Sequence, residues 1–470
     1  MVVYKSDMKP VAIIGGGITG LTAAFRLQQR GIPVKLYEAD DRVGGVIRTV
    51  RDGGYLAECG PNTILETSPL IGELIRDAGV EDRRLYSDPV AEKRFLVRGQ
   101  KMINLPTSPI GFVTTPLFSW RAKAGLLAEP FRRPASDDKE ESLAEFVIRR
   151  LGREFLDYAI NPFVAGVYAG DPEQLSVKHA FPKLQELEQR YGSLIKGQIL
   201  GARERKRLGT VSKQNAKKIS FDEGLQVLTD ALRGKLSDQV NLKHIVKGVR
   251  CENSGWQIDF QNDVAESATN HSSVLLALPA FHLAELGILC NGKRTDLDLL
   301  GHIEHPPITS VVLGFRRKDV VHPLDGFGVL IPEIEKFNSL GTIFSSSLFP
   351  SRAPRGHVTL TSYIGGTRAP DLARLDPDEI IELIMQDLRI LVGLKGKPTH
   401  SYTCFYPRAI PQYNVGYGAF KERMDDAEKE APGLFLGGHF RDGISLGDSI
   451  LAGYNAAERI GKYLETSKPE

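Results

Sequence analysis

The sequence predicts a mixed α/β and α+β fold, made of a βαβ-based domain split along the chain, a mixed-sheet domain and a helical insertion. Three observations predict it. The N-terminus reads strand, glycine turn, helix, strand; the middle changes from charge-rich helix formers to alternating strands; the C-terminus returns to a strand ending in glycine before a closing helix.

Val11-Ala-Ile-Ile is a short apolar strand that runs directly into Gly15-Gly-Gly-Ile-Thr-Gly20. Leu21 to Gln29 has the spacing of an amphipathic helix, and Val34-Lys-Leu-Tyr-Glu38 reads as a second strand. Between Arg98 and Arg121 the chain is nearly uncharged, and three prolines with several hydroxyl residues rule out a spanning helix. Trp120-Arg-Ala-Lys-Ala-Gly-Leu-Leu is an aromatic and basic pattern that suits either a helix at a bilayer interface or a segment packed on the protein's own core. Pro134-Ala-Ser-Asp-Asp-Lys-Glu-Glu reads as an exposed connection, and about Ser142 to Leu156 as a helix. From Val240 to Leu278 the pattern is strand-like, with Gly255-Trp-Gln-Ile-Asp-Phe alternating and Ser273-Val-Leu-Leu-Ala-Leu continuously apolar. Gly433-Leu-Phe-Leu-Gly-Gly438 is a last strand, and Ser449 to Leu464 a closing helix. These patterns divide the chain into 1–90, 205–278 and 400–470 for the split domain, 91–204 for the helical, membrane-facing insertion and 279–399 for a substrate domain.

A chain of 470 residues is too long for one core. Hydrophobic residues make up 41% and charged residues 25%, and 60 Lys+Arg balance 58 Asp+Glu, so no global field points to nucleic acid. Cys59, Cys251, Cys290 and Cys404 lie far apart, outside the close spacings of metal sites and redox motifs, which fits free thiols in a reducing cytoplasm. Met1 to Pro10 carries no apolar signal region, so a cytoplasmic location is expected, with membrane association through the Trp120 region. No motif encodes an oligomeric state; a homodimer is one option.

Gly15-x-Gly17-x-x-Gly20 sits after a strand and opens a helix, where glycines permit a tight turn and backbone approach to a pyrophosphate at the helix N-terminus. Ile18 and Thr19 lie inside the turn. Glu38, followed by Ala39, ends the second strand at the distance needed to accept hydrogen bonds from ribose hydroxyls. Strand, turn, helix and acid in register make this a Rossmann-like dinucleotide site.

The next segment, Asp41-Arg42-Val43-Gly44-Gly45, resembles the second flavin motif of the amine-oxidase-like flavoproteins, which selects FAD over NAD. Arg42 offers a cation and Gly44-Gly45 open backbone near the pyrophosphate. Gly60-Pro61-Asn62-Thr63, after the acidic Glu58, resembles the flavin-ring loop of that superfamily. Gly437-Gly438-His-Phe-Arg-Asp-Gly443-Ile444-Ser445-Leu446-Gly447-Asp448 resembles its last flavin motif, where a helix N-terminus faces the pyrimidine end of the ring; Asp448 also reads as a plain N-cap.

Gly54-Tyr-Leu-Ala-Glu-Cys-Gly-Pro, Asn161-Pro-Phe-Val-Ala-Gly-Val-Tyr-Ala-Gly-Asp-Pro, Phe181-Pro-Lys-Leu-Gln-Glu-Leu, Gly224-Leu-Gln-Val-Leu and Tyr406-Pro-Arg-Ala-Ile-Pro-Gln-Tyr together resemble the protoporphyrinogen/coproporphyrinogen oxidase family. That resemblance implies FAD, a porphyrinogen substrate and O2. It implies that Val246 contacts the adenine through its backbone and that Tyr406 lies beside the flavin. It implies that Arg94 pairs with a substrate propionate, and that Phe327, Leu330, Tyr363 and Gly166 wall the tetrapyrrole. The implied reaction is the six-electron oxidation of protoporphyrinogen IX with release of H2O2, a step of haem and chlorophyll synthesis. The alternatives are coproporphyrinogen III oxidation, for which Lys93 or Arg98 would add rim charge, and a catalytically silent FAD-binding tetrapyrrole carrier. No nucleophile, metal or general-base constellation emerges, so no catalytic side chain is assigned; the hard chemistry belongs to the cofactor.

Overall fold

The computed structural model describes residues 8–134, 140–208, 216–252, 255–261 and 270–466. The first residues of the N-terminal segment and most of the connection expected at Pro134–Glu141 lie outside them.

Apolar strands pair into an all-parallel five-stranded sheet in the order Val240–Asn241, Val34–Tyr37, Val11–Ile14, Val274–Leu276, Leu434–Leu436. Its members come from the start, middle and end of the chain. Their near-continuous burial matches strands covered on both faces. The first helix, Ile18–Gln29, packs on the last, Leu446–Thr466, and on Gln226–Leu236.

A second, seven-stranded sheet runs in the order His400–Tyr406, Ile308–Arg316, His357–Gly365, Ser339–Ile343, Gly326–Leu330, Lys93–Arg98, Lys101–Asn104. Two of its parts differ from the sequence boundaries, since Lys93–Asn104 falls in the expected insertion and His400–Tyr406 in the expected split domain. The reason is burial: Phe95 and Val97 alternate into the same core as Val329 and Ile331, closed on one face by helix Pro377–Leu391 through Ile380, Ile384 and Leu388. Likewise Gly287–Cys290 and Lys293–Arg294 lie beyond the expected limit at 278 yet extend a four-stranded sheet, Gly287–Cys290 pairing with Val246–Glu252 and Lys293–Arg294 pairing in turn with Gly287–Cys290.

The insertion is helical from Pro109–Thr114 onward. Ser142 and Glu145 form a reciprocal capping box that starts Leu143–Arg150 at the expected place, but the helix expected to run to Leu156 ends at Arg150, where Gly152 at φ 99° breaks it before Arg153–Phe155. Fully buried Arg150 pairs with fully buried Glu129, whose carboxylate also accepts from Ser193 Oγ at 2.5 Å and the Leu194 amide at 2.9 Å. Of the Pro-rich stretch, Leu117 and Phe118 are buried, and Phe118 stacks on Phe155 with ring centroids 4.4 Å apart. Ile110, Trp120, Leu127 and Phe131 are exposed at 71–87%. Lys123 is not part of a basic surface: it is buried, donates to the Val113 and Thr115 carbonyls at 2.7 Å and lies over the Trp120 ring. Among the described residues no helix is long and apolar enough to cross a membrane.

Candidate functional site

The first helix builds one end of the site. Gly17 precedes it in extended conformation with no side chain closing the helix N-terminus, so its first amides are open to an anion. A Cβ on Gly17 would meet nothing within 4 Å, whereas one on Gly15 would lie 2.5 Å from the Ala277 oxygen and one on Gly20 2.0 Å from the Gly15 oxygen. Gly15 and Gly20 therefore serve close backbone packing, and Gly17 leaves the open face. Glu38 turns back over this loop, accepting from the Gly16 amide at 2.6 Å and the Asp40 amide at 2.9 Å, with Ala39 exposed between. The His244 amide donates to the Glu38 carbonyl at 2.8 Å, which brings Val246 to the same end.

Gly44 bridges to Gly17, its amide donating to the Gly16 oxygen at 2.8 Å, and Gly45 follows alongside. Arg42 differs from a free cation facing the pyrophosphate. Its guanidinium donates to the Val43, Ile47 and Gly45 carbonyls at 3.1, 3.0 and 2.6 Å, so it acts on the site by holding the Gly44-Gly45 turn. Open backbone, a helix N-terminus and a turned-back carboxylate fit a dinucleotide with two ribose hydroxyls and a pyrophosphate.

Thr19 Oγ1 donates to the Ser449 carbonyl at 3.0 Å and ties the first helix to the last. The last helix begins at Leu446. Ser445 is its N-cap, accepting from the Asp448 amide at 3.1 Å, and Asp448 reaches back to Ser445 Oγ at 2.7 Å and its amide at 3.4 Å. Asp448 is thus the third residue of a capping box and not the cap itself. Gly438 and Gly443 have φ of 139° and 116°, and the Gly443 amide donates to the Tyr413 hydroxyl at 3.1 Å, leaving Ile444 to pack on the core behind.

At the other end, Gly60-Pro61-Asn62-Thr63 leaves strand Tyr55–Glu58. Asn62 Nδ2 donates to the Tyr363 hydroxyl at 2.6 Å and, at 3.3 Å, to the Gly60 carbonyl, which also accepts from Tyr363. A Cβ on Gly60 would lie 3.3 Å from the Tyr406 hydroxyl. Burial pushes both tyrosine hydroxyls far up, so they stay neutral hydrogen-bonding groups. Tyr363 pairs in register with Gly341, Gly341 with Leu330, and a Cβ on Gly166 would lie 2.4 Å from Leu330 Cδ2. Gly60, Tyr406, Asn62, Tyr363, Leu330 and Gly166 therefore form one continuous wall.

Arg94 is exposed, in register with Gly328, where a bulge re-aims Phe327. Lys218 stands over Phe327 with its Nζ 5.9 Å from the ring centroid. Burial first, then the Arg94 charge, hold Lys218 below the usual lysine range, against Glu92. This second cation was missed in the sequence because it comes from a different strand, Lys217–Phe221, with no motif of its own. Lys93 and Arg98, the expected additional rim charges, are neutralised by Asp325 and Glu154. Also unforeseen is a buried ion pair behind Asn62, Glu58 with Arg352 at 3.6 Å.

The family model for flavin containing amine oxidoreductase matches residues 18–461. The chain is 36% identical to protoporphyrinogen oxidase 2, chloroplastic/mitochondrial, of Arabidopsis thaliana, covering 97% of this chain and 95% of that protein. It is 30% identical to coproporphyrinogen III oxidase of Bacillus subtilis (strain 168), covering 97% and 98%. Its fold superposes on the crystal structure of a protoporphyrinogen oxidase candidate from Exiguobacterium sp. 255-15 with a TM-score of 0.79, 22% identity and coverage of 97% and 99%. With the nucleotide end and the aromatic wall joined in one site, the chain belongs to the flavin containing amine oxidoreductase family and is an oxidoreductase that uses FAD.

Proposed function

We propose that the protein oxidises protoporphyrinogen IX to protoporphyrin IX with O2 as electron acceptor, releasing H2O2. The observation that carries this reading is the continuous neutral wall from Gly60 to Gly166 with Arg94 at the rim beside Gly328. A flat, largely apolar tetrapyrrole needs such walls and few fixed charges. The relatives named as protoporphyrinogen oxidases support the same substrate class.

FAD, when bound, supplies the two-electron redox chemistry. Gly17, Ile18, Gly44 and Gly45 would offer open backbone to its pyrophosphate, with Gly15 and Gly20 closing the packing of the first turn, Thr19 tying its helix to the last and Arg42 holding the second turn. Glu38 and Ala39 receive the ribose, and Val246 the adenine. Gly60, Pro61, Asn62, Thr63 and Tyr406 flank the ring, and Gly438, Gly443, Ile444, Ser445 and Leu446 present a capped helix start to it. Leu330, Phe327, Tyr363 and Gly166 hold the substrate plane, and Arg94 with Lys218 fix a propionate, so that positioning is the protein's main contribution. No side chain is assigned a proton-transfer role. The functional division is the split FAD domain, the helical insertion and the mixed-sheet substrate domain, the last including Lys93–Asn104 and His400–Tyr406.

A second reading is coproporphyrinogen III oxidation. Lys218 favours it, because four propionates call for more rim cations than two. The exposed Ile110, Trp120, Leu127 and Phe131 support peripheral contact with a membrane surface. The test is porphyrin fluorescence growth in air with each porphyrinogen in parallel. Faster turnover of protoporphyrinogen, lost in Arg94→Ala, supports the proposal; preference for coproporphyrinogen selects the second reading; no turnover of either refutes both.

A further inference from the structure

Strand Tyr55–Glu58 and edge strand His400–Tyr406 meet along matching faces. By the alternation of a strand, His400, Tyr402, Cys404 and Tyr406 share one side. At one end His400 stacks on Tyr55 with ring centroids 4.8 Å apart, and the Tyr55 hydroxyl lies 2.6 Å from Thr399 Oγ1. At the other, the Tyr406 hydroxyl stands 3.3 Å from the place of a Gly60 Cβ. Between these fixed ends Cys59 lies four positions after Tyr55 and Cys404 four after His400, so the two cysteines fall opposite each other. Cys59 is fully buried and Cys404 half-buried; both are free.

We propose that Cys59 and Cys404 are a peroxide-sensitive thiol pair, a modification site that closes to a disulfide beside the Gly60–Thr63 loop. Cys404 is the attacking sulfur. Its thiolate is favoured by the hydrogen bond with Cys59, then, against desolvation, by the Tyr406 hydroxyl, Arg48 and Arg42. Cys59 is held as the thiol by the same bond and by burial. A partly exposed thiolate beside a resolving thiol is the arrangement that favours peroxide oxidation and closure to a disulfide. Cys251 and Cys290 provide an internal contrast. They are register partners on neighbouring strands, yet burial pushes the Cys251 thiol up to about 12 and no cation favours its thiolate.

In the first step the Cys404 thiolate attacks hydrogen peroxide: an S–O bond forms, the O–O bond breaks and hydroxide leaves, giving a sulfenic acid. In the second the Cys59 thiol attacks that sulfur, an S–S bond forms, and water leaves with the Cys59 proton. Two sulfurs are oxidised and one peroxide is reduced. The disulfide pins residue 59 to the strand that carries Tyr406, so it acts on the loop bearing Asn62. The proposed oxidase reaction is one source of peroxide, but the pair needs only a hydroperoxide and does not rest on that reading.

The test treats the flavin-loaded protein with rising hydrogen peroxide, alkylates the remaining thiols and maps the peptides by mass spectrometry. Expected is a loss of about 2 Da with a joined Cys59–Cys404 peptide, reversed by dithiothreitol, while Cys251 and Cys290 remain alkylated. Dimedone given with the peroxide should trap Cys404 in the unmodified sequence, which keeps the test independent of how variants fold. In Cys59→Ser, Cys404 should gain oxygen without cross-linking. A Cys251–Cys290 link that forms first, or Cys404 that over-oxidises in the unmodified sequence with no joined peptide, would overturn the proposal.

Discussion

Replacing Arg352 by Met should destabilise the protein in a pH-dependent way. Glu58 and Arg352 are 4% and 2% exposed and 3.6 Å apart. At that distance and an effective dielectric constant of about 20 their attraction is about 4–5 kcal/mol, close to the roughly 3–5 kcal/mol that breaking a buried pair costs. Met fills most of the arginine stem's volume, and Glu58 keeps its bonds from Thr49 Oγ1 at 2.8 Å and the Leu225 amide at 2.9 Å. The loss then comes mainly from an uncompensated carboxylate and from the Ser220 hydroxyl and Phe221 carbonyl, which lose their donors. Burial already raises Glu58 above 4.5, with Arg352 pulling it down. Without the arginine it rises further. A carboxyl raised in the folded state carries its penalty above that folded pKa and sheds it as the group gains a proton in acid. The denaturation midpoint of Arg352→Met should therefore fall by an amount equivalent to about 3–5 kcal/mol near pH 8, with a clearly smaller fall near pH 5. Glu58→Gln added to the same chain should recover most of the loss. An equal loss at both pH values would refute the electrostatic reasoning and assign the effect to packing.

Gly20→Ala should yield protein without flavin, read from the visible absorption per chain, because its Cβ would lie 2.0 Å from the Gly15 oxygen, a backbone contact that cannot swing away. Glu38→Gln should weaken FAD binding by about ten- to a hundredfold, the worth of one charged hydrogen-bond acceptor, as measured by flavin release on dilution. Lys218→Ala should raise KM about tenfold with little change in kcat, more for coproporphyrinogen than for protoporphyrinogen; a fall in kcat alone would place Lys218 outside propionate binding. Trp120→Glu with Leu127→Glu should abolish flotation with liposomes while leaving turnover in detergent intact.

What the sequence determined by itself is local. Gly15 to Gly20, the strands on either side and Glu38 are legible because turn chemistry, helix entry and strand pattern act within a few residues, and the fold keeps all of them together. The same holds for the helix start expected at about Ser142. The tertiary structure alone decided the rest. It moved Lys93–Asn104 and His400–Tyr406 into the seven-stranded sheet, since sheet membership depends on which apolar faces are buried together. It turned Arg42 onto its own turn and sank Lys123 into the insertion, because a cation's role follows from the carbonyls near it and not from its position in a motif. It set Lys218 beside Arg94, Glu58 on Arg352 and Cys59 against Cys404, pairs far apart in sequence. No short-range pattern encodes such pairs. They exist only once long-range packing has brought two strands face to face and removed the water between them.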